Sequence, residues 1–151
     1  MRRLLPFFLS CGWLFIASAS EPRILKVLPH LLDSEGRHSL SPGLYERDAY
    51  QAILRKRPNQ VSGIRYDVCW RGTLPEGHKV HLRLYLRTMK PGATEPIILE
   101  KELTPGWFPG SHWDGLSLTG TAYQTAGEIQ AWKAELLDGK TPVAHQESFL
   151  W

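Results

Sequence analysis

Ser111, His112 and Asp114 lie within four residues of one another and carry the side-chain types of a hydrolytic triad: nucleophile, base and carboxylate. A triad is defined by geometry, and close neighbours in sequence rarely aim at one point, so the trio reads as a polar loop. Cys69 as a nucleophile requires a nearby base and a lowered pKa. Val68 and Trp70 on either side give it an ordinary strand position instead. The histidines are His30, His38, His78, His81, His112 and His145. His78 and His81 are three apart, which puts them on opposite faces of a strand. His112 with Asp114 is a two-ligand fragment, short of a metal set. Glu100 and Glu102 alternate as acids do on the wet face of a strand. No Gly-x-Ser-x-Gly, phosphate loop or dinucleotide fingerprint occurs. The expectation is a protein without catalysis, metal or cofactor.

Binding has two candidate surfaces. Trp107, Phe108, His112 and Trp113 crowd the stretch Thr104 to Gly115, which holds two prolines and three glycines and reads as irregular chain. Aromatic rings on such a loop stack on sugars or clasp a partner; folded back, they cap the open end of a core. The second surface is a set of strand residues, Arg65, Arg71, Arg83, Tyr85 and Arg87. It suits an acidic polysaccharide, a lipid head group or an acidic protein. It equally suits a solvated sheet face, partly neutralised by Asp67.

The elements that position these residues are mostly strands. Ile64, Tyr66, Val68 and Trp70 alternate with Arg65, Asp67, Cys69 and Arg71, and Val80, Leu82, Leu84 and Leu86 alternate with His81, Arg83, Tyr85 and Arg87. Period two over eight residues predicts a half-buried strand each time. The turn Leu74-Pro75-Glu76-Gly77 between them predicts an antiparallel hairpin that gathers the arginines on one outer face. Arg23 to Leu32 predicts a first strand, at a sheet edge because Pro29 cannot donate to a ladder. Ile97 to Leu103 predicts another, and Leu116 to Leu118 a short one before a turn or a single helical turn over Thr121 to Ala126.

Asp138-Gly139 predicts a closing hairpin between Glu128–Leu137 and Pro142–Trp151. Trp132 and Phe149 are its expected core anchors, and the Phe149-Leu150-Trp151 end reads as packed. Ser41-Pro42 predicts a helix start, with Ser41 as cap, for a helix over Leu44 to Arg55. Tyr45, Ala49, Ala52 and Ile53 form its apolar face, and Arg55-Lys56-Arg57 sit where cations favour the helix dipole.

The N-terminus carries a different signal. Arg2 and Arg3, the apolar run Leu4 to Ile16 and the small residues Ala17 to Ala19 predict a cleaved secretory signal over 1–19. The run is too short, at about 20 residues required, to predict a membrane span. That leaves one domain over 20–151, secreted or periplasmic. The 18 Lys+Arg against 15 Asp+Glu fall to 16 against 15 once Arg2 and Arg3 are removed, which takes away the cationic excess that nucleic-acid binding needs. Cys11 leaves with the signal, so Cys69 is alone and is either buried or paired between chains.

About seven strands, one short helix near the N-terminus and no βαβ rhythm predict an all-β, antiparallel β-sandwich. In outline it resembles immunoglobulin-like and fibronectin type III-like domains, although the inter-sheet cysteine pair and a tyrosine corner are missing. The functional expectation is an exported, non-catalytic sandwich acting through contacts with a protein partner. The alternative is a carbohydrate-binding module whose Trp107/Trp113 loop holds a polysaccharide.

Overall fold

Alternating apolar and polar side chains build seven strands in the computed structural model, which describes residues 21–73, 79–104 and 110–151. The predicted signal over 1–19, the turn Leu74 to Gly77 with His78, and Trp107 and Phe108 lie outside the described residues. The strands are β1 (Arg23–Asp33), β2 (Val61–Arg71), β3 (Val80–Thr88), β4 (Ile97–Leu103), β5 (Ser111–Thr119), β6 (Ile129–Asp138) and β7 (Thr141–Glu147). Two short helices accompany them, α1 (Leu44–Lys56) and α2 (Gly120–Ala126), with a 3₁₀ turn at Pro58–Gln60.

Every pairing is antiparallel, and the strands form two sheets, β1-β2-β5 and β4-β3-β6-β7. The expected all-β sandwich is the observed architecture. The expected β2–β3 hairpin is not: β2 pairs with β1 and β5, and β3 pairs with β4 and β6. The two strands stand in opposite layers. Ile64, Tyr66, Val68 and Trp70 of β2 and Val80, Leu82, Leu84 and Leu86 of β3 belong to one buried core. Placing them across the sandwich buries both apolar rows against each other, which pairing them side by side does not do.

The terminal hairpin forms as expected, closed by Gly139 at a φ of 59° between Asp138 and Thr141. Its anchors differ from expectation. Trp132 packs against the core, but Phe149 is 102% exposed. The packed end is Trp151, whose ring lies under the Arg87 guanidinium at 4.2 Å. Ser148 explains the change of partner: its amide and hydroxyl bond to Trp132, which turns the chain so that Phe149 faces out.

β1 is an edge strand, as Pro29 implied, and α1 covers it. The helix begins after Gly43, not Ser41, and no side chain caps it. Its apolar face is also reversed from expectation. Tyr45, Ala49, Ala52 and Ile53 all face solvent, with Tyr45 84% and Ile53 43% exposed. The face against the sheet carries Arg47, Tyr50, Gln51 and Leu54, with Gln51 and Leu54 buried.

Hydrogen bonding outweighs the apolar stripe here. Gln51 Nε2 donates to the carbonyls of Leu31 and His38 at 2.9 Å each, and Gln51 Oε1 accepts from the Leu31 amide at 2.8 Å. One side-chain amide thus pairs the open edge of β1 as a further strand would. Tyr50 donates to Asp33 Oδ2 at 2.6 Å. Burial pushes the Asp33 carboxyl towards the neutral form. Hydrogen bonds from Tyr50, the Arg37 side chain and amide, and the Glu35 amide reverse this and hold its pKa well below the usual carboxylate range.

Candidate groove beneath the helix

β5 begins at Ser111, so Ser111 to Gly115, expected to be irregular, belong to a strand, and strand geometry separates the candidate residues there. His112 lies opposite Trp70, and the two rings stack at 4.7 Å. Asp114 accepts from Trp70 Nε1 at 2.8 Å and pairs with Lys101 Nζ at 2.7 Å, which ties β5 to the other sheet. Trp113 points to the opposite, outer face and is 53% exposed. His112 and Trp113 therefore do not form one platform. Ser111, His112 and Asp114 do not converge either, because His112 and Asp114 are engaged with the indole of Trp70.

The arginine surface also divides. Arg65 and Arg71 belong to the β1-β2-β5 sheet, whereas Arg83, Tyr85 and Arg87 belong to the other. On that second sheet the charges are matched. Arg83 Nε meets Glu100 at 2.8 Å, His81 meets the same carboxylate at 3.0 Å, and Lys133 meets Glu135 at 2.7 Å. Tyr85 donates to Glu135 at 3.0 Å, and Arg87 covers Trp151. The charges of this face therefore answer one another within the sheet, with Glu135 itself buried. Cys69 is buried in β2, between Lys26 and Trp113 in register.

The outer face of β1-β2-β5 forms a groove with α1. Lys26, Leu28, His30, Leu44, Arg47, Asp67 and Trp113 line a space of about 590 Å³. A second space of about 360 Å³ shares Leu28, His30 and Arg47 and is lined further along α1 by Asp48, Gln51 and Arg55. At the floor, buried His30 Nδ1 lies 3.0 Å from Asp67 Oδ2, and Arg65 Nε reaches Asp67 Oδ1 at 2.7 Å. His30 also stacks on His38 at 5.2 Å. Burial lowers the His30 pKa, and the nearby Arg47 and His38 act in the same direction, against the raising effect of Asp67. His30 is therefore neutral at pH 7. Asp67 only accepts, so the proton sits on Nδ1 and the Nε2 lone pair is an acceptor.

Sequence reasoning missed Lys26, Leu28, His30, Leu44 and Arg47 as one site. Their signal was faint: Lys26, Leu28, His30 and Leu32 alternate along β1 on the face turned from the core. A mixed apolar and polar row of that kind marks a face that is covered in part. Finding Asp67 beside His30 needs the register of β1 on β2, which joins residues 37 apart in sequence.

Among the described residues, no cluster of three or more His, Cys, Asp or Glu side chains is arranged to hold a metal ion, and no helix is long and apolar enough to cross a membrane. No protein-family model and no curated protein sequence matches the chain. Among solved structures, a selenomethionine-labelled β-glucosidase from Kluyveromyces marxianus shows 13% identity and a TM-score of 0.29 over 58% of this chain. The match spans 12% of that structure, a likeness below the level at which two folds count as the same.

Proposed function

We propose that the protein is an exported, non-catalytic β-sandwich that works through contact with a protein partner, and that the outer face of α1 is its contact surface. The immunoglobulin-like outline is part of the proposal. Placing the fourth strand beside the third, in the sheet that also holds the sixth and seventh, is an order such sandwiches adopt.

The observation that carries this reading is the solvent-facing row Tyr45, Ala49, Ala52 and Ile53. A single exposed apolar residue is ordinary, but a row at helical spacing is a patch, and patches mark interaction sites. The row follows the i, i+4, i+7, i+8 spacing by which helices seat in grooves. Lys56 continues it, and Arg55 and Arg57 flank it, so an apolar surface with an acidic border is the complementary partner.

The test is site-specific photo-crosslinking in the native cell, with a photoreactive phenylalanine at position 45 and, as control, at Met89, which is exposed on the β3 side. The expected result is one discrete adduct from position 45 that disappears when Ile53→Ser is added. Identical adducts from both positions, or none from position 45, would refute the reading.

A further inference from the structure

The groove under α1 has a composition unlike the helix face. Its apolar lining is the exposed indole of Trp113, the exposed side chain of Leu44 and Leu28. Its charged members are Lys26, Arg47 and Asp67. Asp67 is already held by Arg65 and His30, so its charge is answered. Among the described residues Arg47 meets a carboxylate only in its chain neighbour Asp48, at 3.4 Å, and Lys26 is paired with none. Two cations are left facing the space. His30 Nε2 makes no hydrogen bond among the described residues, and with Nδ1–H directed at Asp67 it offers a lone pair to an incoming hydroxyl.

A flat aromatic wall, two available cations and a fixed hydroxyl acceptor select for a ring that is apolar on one face, anionic at one edge and hydroxylated elsewhere. We propose that this groove binds an acidic sugar, a uronate, with the ring against Trp113, the carboxylate between Lys26 and Arg47, and a ring hydroxyl donating to His30 Nε2. The volume of about 590 Å³ lies within the range of roughly 300–1,000 Å³ found for small-ligand sites. The cations match the carboxylate in charge, and the partly enclosed setting strengthens that attraction over its value in open water. A phosphate alone would leave Trp113 and Leu44 without a role, and a neutral sugar would leave both cations unanswered. The site is independent of the protein-contact surface, because Tyr45, Ala49, Ala52 and Ile53 are not among its lining residues.

The experiment is an NMR titration of the protein with trigalacturonate, in parallel with the fully methyl-esterified trimer, which keeps the rings and removes the charge. Shifts are expected at the Trp113 indole and the His30 ring with the acid, and at least tenfold weaker binding with the ester. Trp113→Ala is expected to abolish the shifts and Trp113→Tyr to keep them, which separates a lost platform from a lost fold. Lys26→Ala should weaken binding about tenfold, and added salt should weaken it further. Equal binding of acid and ester, unchanged binding by Trp113→Ala, or no shift at millimolar trimer would overturn the proposal. Tighter binding of a glutamate-rich peptide to the same resonances would also overturn it, because the occupant would then be a protein segment.

Discussion

Gln51→Ala tests how α1 is held, because a single amide makes three hydrogen bonds between the helix and the edge of β1 and its following turn. A neutral hydrogen bond contributes about 1 kcal/mol net, and a buried partner left unpaired costs about 1–3 kcal/mol. Leu31 is only partly buried, so water can satisfy part of what the alanine variant exposes. The expected loss is about 2–3 kcal/mol. Gln51→Glu is the sharper version. The carboxylate still accepts from the Leu31 amide, but it turns lone pairs towards the carbonyls of Leu31 and His38 at a position that is 3% exposed. Its folded pKa is then raised, so the variant is least stable at neutral pH and recovers as the pH falls and a donor returns.

The assays are urea denaturation followed by tryptophan fluorescence, and amide hydrogen exchange over β1 and β2. In Gln51→Ala, exchange at the Leu31 amide should accelerate while β2 stays protected, since β2 lies inside its sheet. A stability change under about 0.5 kcal/mol, or an unchanged Leu31 amide, would show that Gln51 does not close the edge. A Glu variant whose stability rises with pH would refute the account of the two carbonyls.

Three other outcomes follow from the same contacts. Asp33 has a folded pKa below its unfolded value of about 3.9, so the stability it provides is complete above pH 4 and is lost as the pH falls further; Asp33→Asn should flatten the acid limb of a urea-midpoint profile. His30 is also lowered, so the unfolded chain protonates first, and stability is full above about pH 6.5 and declines as the pH falls through the folded value; proton NMR of the His30 ring should place its midpoint below that of an exposed histidine. Trp151→Ala should cost about 1 kcal/mol through the lost Arg87 contact, whereas Phe149→Ser should leave the thermal midpoint unchanged, measured by circular dichroism.

The strands were legible because period two reports directly which side chains share a face. The spans of β2 and β3 follow from alternation, β1 from its apolar opening with Pro29 marking it as an edge, and β4 from the break at Lys90-Pro91-Gly92 before it. Alternation does not report the partner. The apolar rows of β2 and β3 fit a hairpin and a face-to-face pair equally well, and only the need to bury both rows at once decides between them. That choice moved Arg65 and Arg71 to one side of the molecule and Arg83, Tyr85 and Arg87 to the other. The His30–Asp67 pair was illegible for a related reason: it exists only through cross-strand register, which no local pattern encodes.

The helix shows a different limit. Amphipathicity locates an apolar face but does not say that this face turns inward. In α1 the inward face is chosen by Gln51 and Tyr50, whose hydrogen bonds to Leu31 and Asp33 are specific, with Leu54 buried beside them, while the apolar row has no such partners among the described residues. Leaving Tyr45 and part of Ile53 in water forgoes about 25 cal/mol for each Å² of apolar surface that burial would cover. The sandwich withstands that loss because its core is complete without α1: apart from Leu54, the largest fully buried side chains all come from strands. A partner that covers Tyr45 and Ile53 recovers the forgone term without disturbing Gln51. Binding at this face is therefore expected to stabilise the protein while leaving the Leu31 amide protected, whereas a partner that must displace the helix would expose it.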